Sequence, residues 1–172
     1  LKLAGSGTKS FNNNSIIVWR QLTVEGVTCS IDNAGQYVLV NTQRFSQEPA
    51  IELVGTSLVN GSGALLSYGN CNVGSSASIN NLGDLRIYSY NDGSNIEHCH
   101  LNISSGASVS VADFWAGQAG TDANPINVYY NNPGPGTLNI TSTLYVDSQG
   151  GDVTFRVNGD ITCFTFYLFD AD

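Results

Sequence analysis

The chain has 172 residues, of which only 12% are charged, and its 14 acidic and 6 basic side chains give a formal net charge of −8. This length suits one domain with a core of its own. The basic residues are scattered along the chain, so there is no basic stripe to neutralise phosphates, which excludes nucleic acid as a partner. The same balance disfavours anionic membrane surfaces, and no apolar run is long enough for membrane insertion.

Neutral polar residues replace the missing charges, with 19 residues each of Gly, Asn and Ser. A surface of uncharged hydrogen-bonding groups packs against copies of itself without charge repulsion. We therefore expect a protein that is extracellular or lies on a cell or virion surface, and whose partners are copies of itself in a homo-oligomer or homo-polymer. The opening "LKLAGSGTKS" is typical of a mature N-terminus from which a signal peptide has been removed.

Short runs rich in β-branched and aromatic residues recur along the whole chain, and turn signals such as "DNAG", "VNGSG", "NNPGPG" and "VNGD" separate them. Residues 1–14 have few apolar anchors and are predicted to be a flexible or partner-docked arm before a single all-β domain at 15–172. No stretch has the period of an amphipathic helix. The predicted strands, in chain order, are 15–19, 21–31, 36–41, 50–54, 64–68, 77–80, 84–90, 99–104, 107–112, 126–130, 137–141, 143–146, 152–157 and 160–169.

Two all-β architectures fit this pattern, and a parallel β-helix, or solenoid, is favoured. The phrase "LNISSGASVSV" at 101 is echoed by "LNITSTLYVDS" at 138, as expected when like residues stack turn upon turn. The repeats keep no constant period, however. The alternative is an antiparallel β-sandwich or jelly roll, for which short strands separated by frequent turns are also typical.

The first and last strong strands are candidates for contact with another subunit. The segment "ITCFTFYLF" at 161–169 is apolar on both faces, which indicates either a central core strand or a strand docked between two surfaces. An end strand could instead be donated to a neighbouring subunit by strand addition. The strand-donation candidates are Ile16, Ile17, Val18 and Trp19.

The four cysteines are Cys29, Cys71, Cys99 and Cys163. None belongs to a CxxC pair, which argues against a zinc knuckle or a dithiol redox site. An even number in a β protein of this composition predicts two disulfides and an oxidising compartment, with all three pairings open. The alternative is four buried thiols.

Sequons for N-glycosylation begin at Asn13, Asn60, Asn102 and Asn139. A chain so rich in Asn, Ser and Thr contains several such triplets by chance, so their number indicates nothing. They remain candidate sites for glycans.

Metal ligands are sparse, and no cofactor is expected. His98 and His100 share a face if their segment is a strand, but a third ligand would have to be a carboxylate, so two polar residues on a solvent face explain them better. Calcium is the cation best suited to the acidic turn that contains Asp147 and Asp152, although this turn lacks the spacing of a calcium loop.

No nucleophile elbow, phosphate-binding loop or dinucleotide fingerprint occurs, so we do not expect an enzyme. Exposed aromatic rings are the other candidate feature, because Trp and Tyr bind sugar rings and dominate protein interfaces. Trp115 lies in the longest predicted loop, "FWAGQAGTDANP", and Tyr129 and Tyr130 precede "NNPGPG".

These observations favour a non-enzymatic extracellular structural subunit of a surface assembly. Candidates are a pilus or filament and a viral or phage fibre or decoration protein. The alternative is a carbohydrate-binding or adhesion module that holds surface glycans through the aromatic residues. A third hypothesis is a β-helical polysaccharide-active enzyme with paired carboxylates in a cleft.

Overall fold

The computed structural model describes residues 1–11, 15–41, 49–90, 99–119, 126–131, 137–148 and 153–170, and in these ranges the chain forms strands and no helix. No helix in this part of the chain could therefore cross a membrane. The strands are β1 (Lys2–Leu3), β2 (Thr8–Ser10), β3 (Ile16–Trp19), β4 (Leu22–Glu25), β5 (Thr28–Ser30), β6 (Tyr37–Asn41), β7 (Ile51–Val54), β8 (Leu58–Tyr68), β9 (Cys71–Val73), β10 (Ser78–Tyr90), β11 (Cys99–Ile103), β12 (Ser108–Ala119), β13 (Ile126–Asn131), β14 (Thr137–Ser148), β15 (Val153–Asn158) and β16 (Ile161–Asp170).

The strands form two parallel sheets. The seven-stranded sheet has the order β1-β4-β7-β9-β11-β13-β15, and the nine-stranded sheet has the order β16-β14-β12-β10-β8-β5-β2, with β3 and β6 continuing beside β8. From β7 onwards, successive strands along the chain alternate between the sheets. Every pair in the described residues is parallel, so the predicted all-β class is confirmed and the antiparallel sandwich or jelly roll is not supported.

A single hydrophobic core draws its residues from both sheets. The Phe114 ring of the nine-stranded sheet meets Phe155 of the seven-stranded sheet, with centroids 6.0 Å apart. Along each strand every second side chain points into this core, because successive residues of a strand face opposite sides. Register partners on neighbouring strands therefore form continuous rows of buried side chains.

A glycine-containing bulge in β10 brings two strands unusually close together. In β10 the register shifts between Ile79 and Leu82, and Asn81 takes the left-handed conformation with a φ of 53°. A Cβ atom on Gly83 would lie 2.3 Å from the Ser62 carbonyl oxygen. Only glycine therefore fits at this bulge.

Several sequence predictions need correction. The described part of the predicted arm, residues 1–11, is not separate from the domain, because β1 pairs with β4 and β2 pairs with β5; residues 12–14 lie outside the described residues. Trp115 is not in a loop, since it lies within β12, and the predicted turn "VNGSG" is part of β8. Gly117, which suggested a loop, is a strand residue in close contact with its neighbours. A Cβ atom on Gly117 would lie 3.1 Å from the Tyr88 ring.

Candidate functional site: the open edge of the sheets

The C-terminal edge, which we define as β15 and β16, leaves the core open. In the seven-stranded sheet one interior row consists of the register partners Leu22, Ile51, Cys71, Leu101, Tyr130 and Val157. The first five members are 0% exposed, whereas Val157, the last, is 50% exposed. Strand β15 has no partner beyond β13 in the described residues.

The nine-stranded sheet ends in the same way. Its interior row runs through Val38, Leu65, Leu85, Phe114, Leu144 and Phe166. Phe166 is 51% exposed, and Leu168, whose partner Val146 is buried, is 70% exposed. Phe164, which is 89% exposed, lies instead at the register shift between Cys163 and Thr165, next to the exposed Thr141 and Ser142 of β14. Phe166 and Leu168 occupy core positions that no strand among the described residues covers, so β16 is an edge strand and not the central core strand that its sequence also allowed.

The N-terminal edge, which we define as β1, β2 and β3, has a different composition. Leu1, Ile17 and Trp19 are exposed apolar side chains on this edge. Strand β2 is polar, and the Lys9 ammonium group donates to the Ser6 carbonyl at 3.2 Å. Lys2 forms an ion pair with Glu25.

The strand-donation candidates Ile16, Ile17, Val18 and Trp19 form β3. In the structure this strand pairs with β6 of its own chain, so it is not an extended donor arm. Val18 is buried and Ile16 half-buried against the core, while Ile17 and Trp19 point outwards. The other side of β3 has no strand partner among the described residues.

The aromatic row, which consists of Arg86, Trp115, Tyr145 and Tyr167, crosses the outer face of the nine-stranded sheet. These residues are successive register partners. Trp115 and Tyr145 stack with centroids 3.9 Å apart, and Tyr145 and Tyr167 with centroids 5.7 Å apart. The guanidinium of Arg86 lies 4.9 Å from the centre of the Trp115 ring, in a cation–π contact. Trp115 thus has a protein group against each face of its indole.

Beside this row, Asp84 and Asp113 are register partners on neighbouring strands. Oδ2 of Asp84 accepts from Nε of Arg86 at 2.7 Å, while Oδ1 is buried without a hydrogen-bond partner. Burial raises the pKa of Asp84, an effect that the Arg86 hydrogen bond and charge oppose and the Asp113 charge reinforces. Oδ1 of Asp113 accepts from the Thr143 amide at 3.0 Å. Each of the two carboxylates therefore accepts a hydrogen bond from another residue of the nine-stranded sheet.

The asparagine row, which consists of Asn72, Asn102 and Asn131, crosses the outer face of the seven-stranded sheet. Asn102 donates to Asn72 at 2.8 Å, and Asn131 donates to Asn102 at 2.9 Å. Nδ2 of Asn131 also lies 3.0 Å from Nδ1 of His100. A groove of about 450 Å³ borders this row, but none of its described lining residues is aromatic.

The described glycosylation candidates all lie inside strands. Nδ2 of Asn102, the atom that would carry a glycan, donates within the asparagine row. Nδ2 of Asn139 is 3.4 Å from the Ser110 hydroxyl, and Oδ1 of Asn60 is buried. These positions argue against glycans on the folded protein. Asn13 lies outside the described residues.

All four cysteines are reduced thiols, so the predicted pair of disulfides is not supported. Cys29 and Cys163 lie on strands separated by four others in the nine-stranded sheet. Cys71 is the partner of Leu101, two residues beyond Cys99. From the rise and spacing of strands, the Cα atoms of Cys71 and Cys99 lie about 8 Å apart, too far for a disulfide. Desolvation raises the pKa of Cys71 to about 12, and desolvation with the Asp32 charge raises that of Cys29 to about 12.

The two metal candidates that the structure describes, His100 and Asp147, do not come together. His98 and Asp152 lie outside the described residues, and within those residues no group of three or more His, Cys, Asp or Glu side chains could hold a metal ion. Asp147 lies on β14 and His100 on β11, in different sheets. Of the aromatic candidates, Tyr130 is buried in the core and Trp115 belongs to the aromatic row, while the Tyr129 side chain lies outside what the structure describes.

Sequence reasoning missed the aromatic row because its members are 22 to 30 residues apart along the chain. Only the register between strands brings them together.

Comparison of the chain with protein-family models, with curated proteins and with solved structures gave no match.

Proposed function

We propose that this protein is a non-enzymatic structural subunit of an extracellular surface assembly, a filament or fibre, built on a parallel β-solenoid. The alternation of strands between two parallel sheets supports the solenoid. The turns differ in length, since 20 residues separate Leu58 from its partner Ser78 and 30 separate Ser78 from Ser108. This variation accounts for sequence echoes without a constant period.

The open core at the C-terminal edge is the observation that carries the proposal. Phe166 and Leu168 present large apolar side chains to solvent from core positions of β16, an edge strand that pairs only with β14 in the described residues, and Phe164 adds a third exposed ring on the same strand. Such an edge is a template for another strand, and a contiguous apolar surface of this kind marks an interaction site. A subunit that presents such an edge is suited to assembly.

The surface composition supports the same proposal. Only 12% of the residues are charged, so the outer faces are covered with amides, hydroxyls and aromatic rings that contact each other in rows. The asparagine row and the aromatic row both use their side chains to bind neighbouring strands. This arrangement favours a rigid building block over a catalyst.

A carbohydrate-binding role receives less support from the same contacts. A sugar ring would have to displace Arg86 or Tyr145 to reach a face of Trp115, and Tyr130 is buried. Among the described residues, Asp84 and Asp113 come nearest to a catalytic pair of carboxylates. However, Arg86 makes two contacts with Asp84, and the Thr143 amide donates to Asp113.

The proposal is tested by concentrating the purified 172-residue chain and following it by sedimentation velocity and negative-stain electron microscopy. We expect elongated particles whose length grows with concentration. Aligned particles should give a meridional reflection near ~4.8 Å, the strand spacing along a solenoid axis. A monodisperse monomer at millimolar concentration would contradict the assembly, and a reflection at this spacing on the equator would contradict the solenoid.

A further inference from the structure

We infer that the C-terminal edge binds the N-terminal edge of a second copy of this chain, in the register that the strands already keep within one copy. In this contact β15 pairs with β1, and β16 pairs with β2 and β3. The inference rests on the proposed function and names the partner of the same open edge.

The rows of the seven-stranded sheet support this register. Leu1 precedes the pair Lys2–Thr23, and its carbonyl accepts from the Thr23 amide at 2.9 Å. Leu1 thus stands beside Leu22, at the beginning of the interior row that ends at Val157. It is 53% exposed, matching the exposure of Val157 at the other end. A second copy in this register would bring Leu1 against Val157 and continue the row.

The nine-stranded sheet gives the same match at two further positions. The interior row that ends at Phe166 begins at Ile16, the partner of Val38. The outer row that ends at Tyr167 begins at Ile17, through Leu39 and Leu66. Ile17 and Tyr167 are each about half exposed. Docking would therefore place apolar side chains against apolar side chains on both faces of the strand.

The size of the contact is sufficient for a stable interface. The longest edge strand, β16, has 10 residues, which span ~33 Å, and two sheets about 10 Å apart with their side chains then give an end face of roughly 650 Å² per partner. Because the two surfaces differ, the contact is heterologous and does not close, so it generates a filament. Seven strands of the smaller sheet at ~4.8 Å spacing give an axial repeat of roughly 34 Å per subunit.

The test uses two variants of the full chain, each blocked at one edge by charges at positions that are at least half exposed. Val157→Glu with Leu168→Glu blocks the C-terminal edge, and Leu1→Glu with Ile17→Glu blocks the N-terminal edge. Val54→Glu, which removes an exposed apolar side chain outside both edges, is the matched control. Far-UV circular dichroism confirms that each variant folds. Where a glutamate at one of these positions prevents folding, a serine at the same position replaces it.

Each edge-blocked variant alone should be monomeric, with the concentration needed for assembly raised at least ~100-fold, because docking would bury unpaired charges. An equimolar mixture should form a one-to-one heterodimer in sedimentation velocity, and the Val54→Glu control should assemble like the parent. If the N-terminal variant dimerises by itself, or the mixture stays monomeric while the parent assembles, the inference is overturned and the proposed function stands. If the parent never assembles, the proposed function fails as well.

Discussion

Trp115 and Tyr145 lie on neighbouring parallel strands with their rings stacked 3.9 Å apart and only 14° from coplanar. Their faces cover each other instead of facing solvent. The stack continues to Tyr167 on one side and to the Arg86 guanidinium on the other. The most prominent aromatic feature of the outer surface is therefore part of what joins its strands.

Removal of either stacked ring should destabilise the protein. We expect Trp115→Ala and Tyr145→Ala each to lower the free energy of unfolding by about 2 kcal/mol, less than for fully buried aromatic residues because both are half-buried. The double variant should show a coupling of about 1 kcal/mol in urea unfolding. Tyr145→Phe, which keeps the ring, is the control. Strictly additive losses would contradict an energetic role for the stack.

The ion pair beside the stack gives a second prediction. Arg86→Ala should cost about 2 kcal/mol in unfolding free energy, because it removes the partner of the half-buried Asp84 carboxylate and the cation over Trp115. Asp84→Ala in the same background should restore part of the loss. Arg86→Lys keeps the charge but not the planar group, so its unfolding free energy should lie between those of the parent and of Arg86→Ala. Equal effects of Arg86→Ala with and without Asp84 would contradict the coupling.

Stability should fall with rising pH because of the buried thiols. The pKa values of Cys29 and Cys71 are about 12 in the folded chain, against 9.0 for a free thiol. The stabilisation is complete below pH 9 and is lost between pH 9 and 12, where only the unfolded chain ionises, at about 1.4 kcal/mol per pH unit for each thiol. Urea unfolding at several alkaline pH values measures the slope.

Two controls isolate the thiols. Cys71→Val should reduce the slope of the unfolding free energy against pH by the contribution of one thiol, while the other ionisable residues contribute as before. In the native protein, a thiol reagent at neutral pH should modify the half-buried Cys163 and leave Cys29 and Cys71 unmodified. Rapid modification of Cys71 would show that its surroundings are not those described.

The asparagine row should contribute to stability in its middle and not at its end. Asn102→Ala removes one donated and one accepted hydrogen bond of a half-buried amide and should cost about 1–2 kcal/mol. Asn158 is the register partner of Asn131 at the exposed end of the same face. Asn158→Ala should change the unfolding free energy by less than about 0.5 kcal/mol. Similar costs at both positions in thermal unfolding would argue against the row.

The close approach at Gly83 predicts a severe effect from a single methyl group. Gly83→Ala should destabilise the protein by about 3 kcal/mol or more, because the atoms that its Cβ would meet at 2.3 and 2.8 Å belong to the Ser62 backbone and cannot move aside. Gly26 also has a constrained conformation, with a φ of 65°, but nothing lies within 4 Å of its Cβ. Gly26→Ala should therefore cost only about 1 kcal/mol. Comparable melting temperatures would contradict the crowding at Gly83.

The strands could be predicted from sequence because β-branched and aromatic residues mark them one by one. Their register could not, because it depends on turns of unequal length that no local pattern specifies. Gly117 illustrates the limit: glycine usually signals a loop, but here it makes room in a strand for the Tyr88 ring. The rows that define both outer faces exist only once the register is fixed.

The open edge shows the same limit. Phe166 and Leu168 alternate with Tyr167 as in any strand buried on both faces, and the local pattern is the same whether or not a further strand covers them. What distinguishes β16 is the absence of a second strand partner within the described chain. Sequence therefore indicated both possibilities, a core strand or a docked strand, and could not choose between them.

Leu58, Ser78, Ser108 and Thr137 occupy equivalent places on four consecutive strands of the larger sheet. A chain that lacked the residues from Ser78 up to Ser108 would bring Leu58 beside Ser108 and leave every later pair unchanged. In the proposed solenoid, the number of circuits that the backbone makes would therefore set the length of the molecule, and the residues within one circuit would set its width. Gain or loss of a whole circuit would then lengthen or shorten the protein without a change to its interior.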